Sequence, residues 1–83
     1  MNNRTKELAK AYYEELHAQF PNVSLIDYIP SLTDNEDTWI AVTYPESEEE
    51  QLRFSYVAAK LTGVYLEKYN SHIVPLSGHL VNN

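Results

Sequence analysis

Apolar residues at the start of the chain recur at helical spacing. Leu8, Ala9, Tyr12, Tyr13, Leu16 and Phe20 form one stripe at about 100° per residue, with Lys6, Glu7, Lys10 and Glu14 on the far side. Pro21 stops the run, which predicts a helix from about Arg4 to Gln19. The rhythm then shortens to two. Val23–Ile29 reads as a strand with Val23, Leu25 and Ile29 on one face and Ile26 and Tyr28 on the other, closed by Pro30. Asp27 falls on the first face, so burial along the whole strand is not expected. Thr38–Tyr44 alternates around Ile40, Val42 and Tyr44 and ends at Pro45. The polar, acidic stretch 31–37 between these strands predicts a hairpin tip.

Ser47, with Glu50 three residues on, fits the start of a second helix as a capping box. Acidic residues in that first turn suit the positive end of the helix dipole. The helix is predicted from about Glu48 to Tyr69, and it is apolar on two sides. A wide stripe holds Phe54, Val57, Ala58, Leu61, Val64 and Tyr65. A narrow one, nearly opposite, holds Leu52, Tyr56, Ala59, Gly63 and Leu66. Two apolar sides imply two contacts, and the small Ala59 and Gly63 suggest close approach of another backbone. Ser71–Leu76 reads as a short strand, confined to a sheet edge by Pro75.

The expected fold is therefore α+β, in the order α-β-β-α-β. It has a three-stranded mixed sheet in strand order 1-2-3. The hairpin makes strands 1 and 2 antiparallel, and a right-handed crossover sets strand 3 parallel to strand 2, with both helices on one face. A single domain is expected over residues 1–83, with a frayed tail from about residue 77.

Composition narrows the function classes. Twelve acidic and six basic residues give a net charge of −6. That opposes direct nucleic-acid binding, which needs cations to displace counterions from phosphates, and it opposes docking on anionic membranes. The chain has no cysteine, so neither a disulfide nor a thiolate metal site is available. The N-terminal residues show no secretory pattern and no apolar run reaches membrane length, so the expected setting is cytoplasmic.

Candidate chemistry is sparse. Glu14 and His17 form a single Glu-x-x-His pair, whereas a di-iron bundle needs two pairs and further carboxylates. His72 and His79 lie seven residues apart, but a zinc site needs three or four ligands fixed in geometry, and His79 falls in the expected tail. Asp34–Asp37 lacks the spacing and glycine of a calcium loop. Neither a nucleophile elbow nor a phosphate-binding glycine loop is present. The expectation is a protein with no cofactor, no metal and no catalytic residues.

Ten aromatic residues, seven of them tyrosines, carry the remaining signal. Strict alternation places Ile26, Tyr28, Trp39 and Ile73 on the sheet face away from the helices. With Tyr56, Ala59 and Gly63 of the narrow stripe, they form the candidate interface. The expected function is a small acidic protein-interaction module that self-associates as a homodimer or binds another protein. Two alternatives stand beside it. One is an acidic inhibitor or decoy, of immunity or antirepressor type, that blocks a basic protein surface. The other is a small ligand-binding domain or enzyme with its site at a dimer interface.

Overall fold

A computed structural model describes residues 3–30 and 38–77. Its elements are α1 (Asn3–Gln19), β1 (Leu25–Pro30), β2 (Thr38–Val42), α2 (Glu48–Tyr69) and β3 (Ile73–Ser77). The sheet order is β1-β2-β3, with β1 antiparallel and β3 parallel to β2. The α+β architecture predicted from the sequence is thus the one found. The expected acidic hairpin tip at 31–37 and the tail beyond Ser77, which contains His79, lie outside the described residues.

The ends of α2 follow from its capping residues. Ser47 is extended, and its side chain accepts a hydrogen bond from the Glu50 N–H at 3.2 Å. Gln51 reaches back with its side-chain amide to the Pro45 carbonyl at 2.8 Å, which fixes the entry of the chain into the helix. At the far end Asn70 takes the left-handed conformation, φ 53°, and its N–H closes onto the Leu66 carbonyl at 3.0 Å. Asparagine tolerates that conformation better than most residues, so the helix stops there.

Both helices bury their apolar sides against one face of the sheet. Ala9, Tyr12 and Leu16 of α1 and Phe54, Ala58 and Tyr65 of α2 share one core with Ile40, Val42 and Ile73 of the sheet. Phe54 sits between the rings of Phe20, 5.3 Å away edge-on, and Tyr44, 4.7 Å away. Tyr12 meets Tyr65 edge-on at 5.5 Å. These are the offset geometries that aromatic quadrupoles favour. The Tyr12 hydroxyl lies 2.9 Å from Thr62 Oγ1 and donates to the Ala58 carbonyl at 3.0 Å. Thr62 in turn donates to the Ile73 carbonyl at 2.7 Å. One polar chain therefore ties α1 to α2 and α2 to β3 inside the core.

The facing of β1 departs from strict alternation. Leu25 pairs with Val42, but the next pair is Asp27 with Ala41, so one residue, Ile26, is extra on β1. Because the side-chain period is two, an inserted residue reverses every face beyond it. Leu25 and Tyr28 therefore both point to the core, where they pack against its rim. Ile29, opposite Trp39, turns outward. The exposed Asp27 shares that outward face.

Candidate interaction surface

The residues expected to form the interface divide between three places. Trp39 lies on the helix-free sheet face as anticipated, 42% exposed, beside Ile29 at 37%. Tyr28 does not join it: the bulge turns Tyr28 toward the core, opposite Ile40. Ile73 is likewise corrected, since it is fully buried and pairs with Thr38. The neighbour of Trp39 on β3 is Val74. Ile73 and Val74 are adjacent apolar residues, so periodicity alone left their facing open. The Thr38 N–H, bonded to the His72 carbonyl at 2.8 Å, fixes it. Ile26 is the bulge residue and half-buried. The open sheet face is thus made by Ile29, Trp39, Val74 and Leu76, with the exposed Asp27 at its side and Ala41 buried between them.

The other expected residues, Tyr56, Ala59 and Gly63, do lie together, on the outer side of α2. Leu52, Tyr56, Ala59, Gly63 and Leu66 follow one another at steps of 4, 3, 4 and 3 residues. That is the 3.5-residue repeat of a helix–helix seam. All five are exposed: Leu52 at 74%, Tyr56 at 67% and Leu66 at 46%, with Ala59 and Gly63 between them. A Cβ added at Gly63 meets nothing within 4 Å. The close contact anticipated at Gly63 is therefore absent within one copy of the described structure, and α1 does not fill it. Along one flank run Arg53, Lys60 and Glu67. The Arg53 guanidinium lies 5.0 Å from the Phe20 ring centre and the Lys60 ammonium 5.6 Å from that of Tyr56.

A groove of about 480 Å³ opens between α2 and β3, lined by Tyr44, Phe54, Ser55, Ala58, Ala59, Thr62, His72, Val74 and Pro75. Its size is that of a small-molecule cleft. Two of its hydroxyls already have partners: Thr62 binds Tyr12 and Ile73, and the Tyr44 hydroxyl reaches the Pro75 carbonyl at 3.4 Å. A second, polar hollow of about 500 Å³ lies at the start of α2 among Thr43, Glu46, Ser47 and Glu50. The carboxylates there oppose the anion that a helix N-terminus would otherwise attract.

The histidine on α1 has a structural role. His17 Nδ1 lies 2.9 Å from the Val23 carbonyl and therefore donates to it. Its ring stacks on Tyr13 at 5.5 Å. Together they pin the turn between α1 and β1. Among the described residues no three His, Asp or Glu side chains converge as a metal-binding group. Asp34–Asp37 and His79 lie outside the described residues.

The perturbed tyrosines all shift in the same direction. Burial pushes the Tyr12 phenol up to about 12. Tyr65 is raised by burial and by the adjacent Glu15 carboxylate, to which its hydroxyl donates. Tyr44 is raised by burial, and Tyr28 by burial and then by the nearby Glu14. Raised phenols stay protonated at neutral pH, so these hydroxyls act as hydrogen-bond donors.

Comparison with protein-family models, with curated proteins and with solved structures returned no significant match. No helix among the described residues is long and apolar enough to cross a membrane.

Proposed function

We propose that this protein is a non-catalytic interaction module that works by self-association, in the cytoplasm, without cofactor and without direct contact to nucleic acid. The observation that carries this reading is the outer stripe of α2. Leu52, Tyr56 and Leu66 are exposed on the side of the helix opposite Phe54, Ala58 and Tyr65, which are buried. Apolar side chains set in register on a helix face are the usual means by which two helices recognise each other. The exposed Trp39 and Ile29 add a smaller apolar area on the sheet. The cysteine-free composition fits a reducing compartment.

The test is solution mass across a dilution series, paired with capture from native extract at low and high salt. Self-association expects a mass that falls on dilution and a capture pattern little changed by salt. A second reading is supported by Glu46, Glu48, Glu49 and Glu50, all exposed around the start of α2. In that reading the acidic cluster blocks a basic surface on another protein. A monomer at every concentration that retains one basic partner only at low salt would replace the first reading with the second.

A further inference from the structure

The α2 seam is self-complementary in one direction only. Small residues, Ala59 and Gly63, stand at its middle, and large ones, Tyr56 and Leu66, stand on either side of them. Charge along the helix is uneven: Glu48, Glu49 and Glu50 crowd its first turn, whereas Glu67 and Lys68 balance each other in its last. Two such helices side by side and parallel would bring their acidic first turns together, a like-charge contact that costs free energy. Turned antiparallel, each acidic first turn lies away from the other copy's acidic first turn and toward its charge-balanced last turn, and the helix dipoles oppose favourably.

We propose that a second copy of this chain packs against the outer stripe of α2 with the two helices antiparallel, Ala59 facing the partner's Gly63 and Tyr56 facing the partner's Leu66. The proposal rests on the self-association reading and specifies its surface and geometry. With this register the small residues of both copies meet at the two-fold axis, where the bare Gly63 position leaves room for the partner's Ala59. The two bulky pairs close the seam on either side. On the charged flank Arg53 comes beside the partner's Glu67, and the same pair repeats across the axis, as an isologous contact requires. Lys60 comes beside the partner's Lys60, the one unfavourable pairing on that flank.

The seam is short. From Leu52 to Leu66 it runs about 21 Å, and with a helix about 10 Å wide it covers on the order of 200 Å² in projection. Counted over both copies that is on the order of 400 Å², below the size of standard specific interfaces, so the dimer is weak and dissociates on dilution.

The absence of native cysteine makes cross-linking decisive. In the antiparallel pair, positions 60 of the two copies are neighbours, whereas positions 52 lie about 18 residues, or about 27 Å, apart along the seam. Lys60→Cys is expected to give a covalent dimer with a short bis-maleimide, and Leu52→Cys is not. Ala59→Glu, at an exposed position that favours helix, is expected to raise the dimer Kd at least tenfold while the far-ultraviolet spectrum stays unchanged. A wild-type chain that remains monomeric at millimolar concentration overturns both this geometry and the self-association reading. A dimer that Ala59→Glu leaves intact overturns the α2 seam but not self-association. Cross-linking through Leu52→Cys instead of Lys60→Cys overturns the antiparallel order.

Discussion

Tyr12→Phe removes one hydroxyl from the point where α1, α2 and β3 meet, and the geometry sets what that should cost. Thr62 has a single hydroxyl proton and gives it to the Ile73 carbonyl at 2.7 Å. The proton between Tyr12 and Thr62 must then come from the phenol, which has two acceptors, Thr62 Oγ1 at 2.9 Å and the Ala58 carbonyl at 3.0 Å. Loss of the phenol oxygen orphans no donor. Thr62 keeps Ile73, and Ala58 keeps the helical bond four residues on, which the unbroken helix supplies. The ring still meets Tyr65. The expected loss is therefore the net worth of a hydrogen bond, about 0.5–1.5 kcal/mol, without the larger penalty of a buried unsatisfied group. Thr62→Val also strips the Ile73 carbonyl of its donor, so about 1–3 kcal/mol is expected. Because the two residues share one bond, the double variant should lose less than the sum, by at least about 0.5 kcal/mol. Urea melts followed by circular dichroism and by Trp39 fluorescence measure all three. With a slope near 1 kcal/mol/M for so small a chain, Tyr12→Phe should move the midpoint by about 0.5–1.5 M. The reasoning is refuted if Tyr12→Phe melts at the wild-type midpoint, or if the two losses simply add.

The same phenol gives a pH dependence of known sign. Its folded pKa, about 12, lies above the ordinary 10.0, so the folded state holds the proton more tightly than the unfolded chain does. The stability it contributes is fully present below pH 10 and is lost as pH rises through 12. Tyr65 is raised too and acts in the same sense. Wild type should lose stability over that alkaline window, and Tyr12→Phe should lose less of it. Equal losses would mean that Tyr12 is not the group that titrates.

Three other substitutions test separate parts of the fold. Ser47→Ala removes the acceptor of the Glu50 N–H and should lower stability by about 0.5–2 kcal/mol in denaturant melts. Gly63→Ala, with nothing within 4 Å of the added Cβ, should stabilise the dilute monomer by about 0.4–1 kcal/mol; a loss instead would place a neighbour there. Ile73→Ala should cost about 2–5 kcal/mol as a core truncation, and Val74→Ala much less, a contrast that equal midpoints would erase.

The element order, the sheet order and the α2 bounds were all legible in the sequence because each rests on local chemistry. Pro21 and Pro45 cut the chain where they stand, and Ser47 caps where capping spacing places it. The two-sided pattern of α2 was equally plain, since a helix of 22 residues samples its periods many times. What could not be read was the facing of β1. Six residues sample a two-residue period too briefly to reveal one inserted residue, and nothing about Ile26 marks it as a bulge. That single insertion moved Tyr28 from the open face to the core rim and put Ile29 in its place. β3 failed for a related reason. Ile73, Val74 and Leu76 are apolar on both faces, and only pairing with Thr38 and Trp39 decides which of them is buried.

The open edges of the sheet bear on how such a domain associates. A strand added from another chain needs free N–H and carbonyl groups along an edge. On β1 the Tyr28 N–H is taken by the Asp27 carboxylate at 2.8 Å, and the bulge at Ile26 breaks the regular spacing of that edge. On β3 Pro75 brings no N–H, its carbonyl accepts from Tyr44, and the Ile73 carbonyl accepts from Thr62. Both edges thus spend part of their hydrogen-bonding capacity internally, through residues that also hold the core or the turns. The outer stripe of α2 has no such closure: Leu52 and Tyr56 point away from the domain. Edges resistant to strand addition, together with an apolar helix face left uncovered, favour association through the helix layer and a closed pair over an open-ended array.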